Sequence, residues 1–195
     1  MAEYTDLATL KAALGITDTA RDDLLSQAIA AASASIDART GRTFGRADEP
    51  TARVFRVTGR SVRRIDGELL LVDDIATDEG LTVAVGSAGS WMELDPGEYE
   101  IESQSALDRG RPITGLLAPA WLARTVRVTA VWGWPAVPDD IAQAALLQAA
   151  RLYRRKDSPE GVAGSAEWGL IRVPYLDPDV RALVDPYRIP GFGGA

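Results

Sequence analysis

The chain has 195 residues, enough for one well-formed core or for a compact domain carrying an inserted lobe. It contains no cysteine and no histidine, which excludes disulfides, zinc–thiolate centres and thiol nucleophiles, and removes the commonest general base and transition-metal ligand. A net charge of −7 disfavours a protein that grips nucleic acid through its phosphates.

The N-terminal run predicts two helices. Thr5 is placed to cap a short first helix with Leu7, Leu10 and Leu14 on one face, stopped by a left-handed Gly15 with Ile16 folding back. Thr17 or Thr19 is the expected cap of the second helix, with Asp22 and Asp23 near its positive end. Leu25, Ala28, Ile29, Ala32 and Ile36 recur at helical spacing, and Gly41 ends the run. Its small side, Ala30, Ala31, Ser33, Ala34 and Ser35, permits close approach by another helix.

From Thr51 to Trp132 the pattern changes to period two. Residues 53–57, 69–72, 81–85 and 124–131 read as strands separated by Gly, Asp and Pro turn signals. Such spacing predicts a small antiparallel sandwich or barrel between helical halves. Residues 103–120, with Gly110, Pro112, Gly115 and Pro119, read instead as a long loop, functional or covered by a partner.

The segment 131–164, VWGWPAVPDDIAQAALLQAARLYRRKDSPEGVAG, reads as a strand end, a Trp-Gly-Trp-Pro turn and a helix starting at Pro138. Asp139 and Asp140 suit its first turn; Arg151, Arg154, Arg155 and Lys156 suit its last. Between them nearly every position is apolar or alanine. So narrow a polar stripe predicts cover on several sides, more than a lone chain of this length supplies. We therefore expect a subunit interface on Leu25, Ile29, Ala32 and Ile36 of the second helix and Ala145, Leu146, Ala149 and Tyr153 of the third.

Further on, 156–165 is a polar loop, 168–174 an extended piece and 177–185 a short helix. The last residues, with Tyr187, Ile189 and Phe192 among Pro and Gly, suggest a mobile segment that docks elsewhere. The expected fold is α+β: residues 1–50 and 133–185 form a helical core, 51–132 an inserted small antiparallel β domain, and 186–195 an extended C-terminal docking tail.

No constellation in the chain calls for catalysis, a cofactor or a metal. Asp73 and Asp74 are adjacent carboxylates of the β region and read as a solvated strand end. Gly191-Phe192-Gly193-Gly194 follows no strand and opens no helix, so it is no phosphate loop. The basic group at 151–156 compensates its helix end or pairs with the Asp22/Asp23 helix of a neighbour. Trp132 and Trp134 fit a sugar-stacking platform, an interface hot spot or core packing. No apolar run approaches the roughly 20 residues needed to cross a bilayer. The N-terminus lacks the basic start and apolar core of a secretion signal, so a protein kept in a cytoplasm or in a particle assembled there is expected.

Three motifs in order carry a family resemblance. The GWPAVPDDI turn at 133–141, followed by an Ala/Leu helix ending in LYRR, resembles the head–tail connector (adaptor) proteins of tailed bacteriophages. So does the run Leu7–Phe44: short helix, Gly-Ile-Thr-Asp link, long Ala-rich helix and Thr-Gly-Arg-Thr-Phe. LDPGEYEI at 94–101 is similar to a pattern recurring in these proteins. The resemblance implies a structural, non-enzymatic virion protein assembled in the host cytoplasm. It would form a ring with copies of itself, dodecameric, in the neck. The ring would join the portal protein to a downstream neck or tail protein, pass double-stranded DNA without specific binding, and touch no membrane. It also implies portal docking by the C-terminal region, carried onto Val180, Leu183, Tyr187, Ile189 and Phe192. A tail terminator or stopper remains the alternative. A carbohydrate-binding module resting on Trp91, Trp132 and Trp134 is a weaker one.

Overall fold

The computed structural model describes residues 2–87, 89–155, 162–163, 171–172 and 177–189. The chain divides into two compact units, Met1–Phe44 with Val137–Ala195, and Gly45–Ala136. The mixed α+β class expected from the sequence is borne out.

The first unit is helical: α1 Leu7–Leu14, α2 Asp22–Thr40, α3 Asp139–Arg155 and α4 Pro178–Val184, followed by a 3-10 turn, Asp185–Tyr187. A short antiparallel ladder joins Val162–Ala163 to Ile171–Arg172. The cap of α1 is Asp6, not Thr5: its carboxylate accepts the Thr9 N–H at 2.8 Å, and Thr5 stands one residue too early. Gly15 closes α1 at φ 69°, with the Ile16 N–H donating to Lys11 O at 3.0 Å. Neither Thr17 nor Thr19 caps α2. A turn intervenes, held by the Ala20 N–H donating to the Asp18 carboxylate at 3.0 Å, so the helix begins at Asp22. Lys11 Nζ meets Asp22 at 2.6 Å and ties α1 to α2. Leu10, Leu25, Ala28, Ile29, Ala32, Ala149 and Tyr153 form one buried cluster, while Val180 and Val184 bury the inner face of α4.

The second unit holds β1 Thr51–Arg56, β2 Ser61–Arg63, β3 Glu68–Ile75, β4 Thr82–Ser87, β5 Ser90–Glu93, β6 Glu100–Glu102, β7 Ile113–Ala118 and β8 Thr125–Ala130. They form two antiparallel four-stranded sheets, ordered β1-β8-β4-β5 and β2-β3-β7-β6. A shared core of Phe55, Leu70, Ile75, Val83, Ile113, Leu116, Val126, Val128 and Trp132 draws on both sheets.

Two expectations are corrected here. The segment 103–120 is no long loop: it holds a 3-10 turn, Leu107–Arg109, and β7, which lies between β3 and β6. Gly115, read as a breaker, faces Leu71 in the ladder; a Cβ there would lie 2.7 Å from Leu69 Cδ1, so glycine makes room for a core leucine. The unit boundaries also move. Arg46 bridges Gly133, the Ala47 N–H donates to Trp132 O at 2.8 Å, and the Gly133 N–H donates to Asp74 O at 2.8 Å. Residues 45–50 and 133–136 therefore belong with the β unit, because their backbone groups are satisfied there.

Candidate assembly interface

The structure relocates the expected subunit interface. Leu25, Ile29, Ala32 and Ile36 of α2, and Ala145, Ala149 and Tyr153 of α3, are buried inside their own unit. Leu146 is half-buried and packs against the same cluster. A side chain with no accessible surface cannot touch another copy, so Leu25, Ile29, Ala32, Ile36, Ala145 and Ala149 are core, not interface, while Tyr153 and Leu146 keep only part of their surface outside the core. One protomer covers the alanine-rich rods because α1, α2 and α4 enclose α3. What α2 and α3 do expose is Leu24, at 47%, Leu147, at 39%, and the small faces of Ala30 and Ala31. Ser33 is buried and accepts the Tyr4 N–H at 3.2 Å.

Residues 177–189 are largely held by their own unit. Val180 is fully buried and Leu183 half-buried. Arg39 pairs with Asp185 at 2.7 Å, Arg42 Nε donates to Tyr187 O at 2.8 Å, and the Ile189 N–H donates to Thr40 O at 2.9 Å. Tyr187 lies edge-on to Phe44, ring centroids 5.6 Å apart, and its hydroxyl donates to Asp140 at 3.1 Å. Val180 and Tyr187 are thus removed from the portal-docking set. Ile189 keeps 42% of its side chain exposed, and Phe192 lies outside the described residues.

Sequence reasoning missed the clasp that makes this possible. Tyr4 packs edge-on to Phe44 at 5.7 Å; its hydroxyl donates to Asp37 and accepts the Phe44 N–H at 2.9 Å. Burial, reinforced by the Asp37 hydrogen bond, pushes the Tyr4 phenol well above its usual value. Burial also raises Asp37, against the opposing pull of the Tyr4 hydroxyl. The only sequence signal was an aromatic just before the Leu7–Phe44 motif and another at its end.

The two tryptophans of the Trp-Gly-Trp-Pro turn are structural. Trp132 and Trp134 are buried; their Nε1 atoms donate to Thr51 O at 2.7 Å and to Asp74 at 3.0 Å. The Arg53 guanidinium sits 4.3 Å over the Trp132 ring, and that of Arg127 sits 4.9 Å over Trp91. Trp132 and Trp134 therefore offer no open stacking platform, which removes two of the three rings on which the carbohydrate reading rests. Asp73 pairs with Arg53 at 2.8 Å and Arg60 at 3.1 Å, so it is no bare strand end. Arg151 pairs with Asp177 at 3.1 Å, and Asp22 is taken by Lys11; both partners come from the same chain rather than from a neighbour. Lys156 lies outside the described residues. Among the described residues no group of His, Cys, Asp or Glu is arranged to hold a metal ion, and no helix is long and apolar enough to cross a membrane.

Residues 4–65 match the family model of the phage gp6-like head-tail connector proteins. The connector resemblance is borne out. The match runs from the Tyr4 clasp through α1, α2 and β1 to the β2–β3 turn. No curated relative matches the chain. Two solved structures share its fold. One, titled as the neck of an empty GTA particle computed with C6 symmetry, is 19% identical, covers 97% of this chain and 91% of its own, and has a TM-score of 0.51. The other, titled as the virion of a native gene transfer agent (GTA) particle, is 22% identical with the same coverages and a TM-score of 0.55. At these identities the likeness is one of fold.

Proposed function

We propose that this chain is a structural protein of the neck of a tailed-phage or phage-like particle, a connector that assembles as a ring between the portal and a downstream neck or tail protein. The observation that carries the reading is the connector-family match over residues 4–65. Kinship of fold with chains of a GTA neck and a GTA virion supports it. Double-stranded DNA would pass through the ring without being gripped. A net charge of −7 suits that role, since a basic channel would retain the genome. The role needs no catalysis, cofactor or metal. With α2 and α3 closed by their own unit, contacts to other molecules fall to exposed side chains. On the helical unit these are Leu24, Ala30, Ala31 and Leu147, and Ile189 with the half-buried Leu183 for the portal.

The test adds the purified chain to portal-bearing heads that lack it and images them by electron microscopy. A ring coaxial with the portal vertex is expected, together with the chain in the mass spectrum of intact particles. Absence from intact particles would overturn the proposal. So would binding only to heads already carrying another neck protein, which would make this chain a stopper.

A further inference from the structure

The β unit is electrically polar along its strands, and its positive end carries its two most exposed aliphatic side chains. Ladder registers define the ends. Arg56 faces Thr125 at one end of the β1–β8 pair, and Thr51 faces Ala130 at the other. In the second sheet Glu68 faces Ala118 at the first end, while Ile75 bridges Trp132 at the second.

The first end bears the β2–β3 turn, closed by the Arg64 N–H donating to Gly67 O at 2.7 Å, and the segment that leads into β8. Glu68 holds the two together: its carboxylate accepts the Trp121 N–H at 3.1 Å and its carbonyl accepts Trp121 Nε1 at 2.9 Å. From this base Ile65 and Leu122 project almost wholly into solvent. Arg56, Arg63, Arg64 and Arg124 are exposed at this end, beside two exposed carboxylates, Asp66 and Glu100. At the opposite end the segment before β1 and the β3–β4 turn expose Asp48, Glu49, Asp78 and Glu79 beside Arg46, the segment entering β7 exposes Asp108 with Arg109 and Arg111, and Pro50 and the half-buried Leu81 are apolar neighbours, so carboxylates outnumber guanidinium groups there.

We propose that the occupant of the Ile65/Leu122 tip is a second copy of this chain, seated by its Asp48/Glu49/Asp78/Glu79 end. Charge complementarity between two ends of one unit selects a head-to-tail contact, the heterologous kind that repeats from copy to copy and closes a ring. Arginine suits the tip because its guanidinium forks onto carboxylates. An anionic membrane is the poorer occupant: two aliphatic side chains anchor weakly, and a body of net charge −7 is repelled. The inference rests on the ring reading and assigns that ring one of its contacts.

The chain has no cysteine, so an engineered pair reports cleanly. Full-length protein carrying Asp66→Cys and Pro50→Cys, treated with a short bismaleimide, should give a ladder of linked copies on a denaturing gel. Adding Arg63→Glu and Arg124→Glu should abolish the ladder, as should Asp48→Arg with Asp78→Arg. Mixing the two charge-reversed proteins should restore it, because each end then meets its opposite. A ladder indifferent to charge reversal would overturn the contact. So would lost ladders that mixing fails to restore, or Leu122-dependent flotation with anionic vesicles in place of linkage. Failure of 66 to link to 50 in protein that still forms rings on portal-bearing heads would sink this contact and leave the neck role standing.

Discussion

Replacing Leu25 by alanine separates a core residue from an interface residue. Leu25 is fully buried in the cluster formed by Leu10, Ala28, Ile29, Ala32, Ala149 and Tyr153, with no partner molecule present. Truncation removes most of an enclosed side chain and leaves a cavity that the helices only partly fill, a loss of about 3–5 kcal/mol. Against a total stability of about 5–15 kcal/mol, that is a large fraction. For a unit of this size it corresponds to a fall of about 12–20 °C in melting temperature. Urea denaturation followed by far-ultraviolet circular dichroism at low protein concentration should show the midpoint drop by about 2 M. Leu24, its neighbour in the chain, is 47% exposed, and Leu24→Ala should cost the protomer under about 1 kcal/mol. The reasoning is refuted if Leu25→Ala keeps parental stability and loses only its capacity to assemble.

Three further outcomes follow from single contacts. Burial raises the Asp37 carboxyl in the fold, so the folded state binds this proton more tightly than the unfolded one. The stability it contributes is complete below the ordinary carboxylate value and lost as pH rises through the raised one. Asp37→Asn still accepts the Tyr4 hydroxyl but cannot ionise; in denaturant titrations its stability relative to the parent should improve between about pH 3 and pH 7. Gly133 stands at φ 115°, and a Cβ there would lie 1.9 Å from Gly45 O, so Gly133→Ala should cost at least about 3 kcal/mol, read as early melting of the β unit. Trp134→Phe keeps a phenyl ring but loses the pyrrole half of the buried indole together with its 3.0 Å bond to Asp74; a destabilisation of about 2–4 kcal/mol in the same assay is expected, and no change would show both to be idle.

Local signals in the sequence marked most of the elements and few of their partners. Gly15 and Gly41 ended helices as read, because left-handed stops are chosen by local sterics. Helix caps shifted by one to four residues, since several adjacent oxygens compete to cap and the Asp18 turn decided the entry to α2. β7 was missed because Pro112, Gly115 and Pro119 resemble loop punctuation, while the pressure for glycine at 115 comes from Leu69 on another strand. The Tyr4–Phe44–Tyr187 clasp joins residues far apart in the chain, and no periodicity announces such a contact.

The misplaced interface has a specific cause. An alanine-rich helix surface looks like exposed apolar area awaiting a cover, yet each alanine carries little area; its main effect is to let helix axes approach. Ala28, Ala32, Ala145 and Ala149 do this inside the protomer, where α2 and α3 close on one another. Sealing the helical core within one copy has a consequence for assembly. The chain can fold before it meets any partner, and its contacts with other molecules must come from side chains already in water. Scattered exposed apolar residues such as Val54 or Met92 are ordinary on any surface. Two nearly bare aliphatics fixed on adjoining turns and ringed by arginines, on an acidic chain, are not. That contrast makes the β-unit tip a stronger place to look for a neighbouring molecule than either alanine-rich rod.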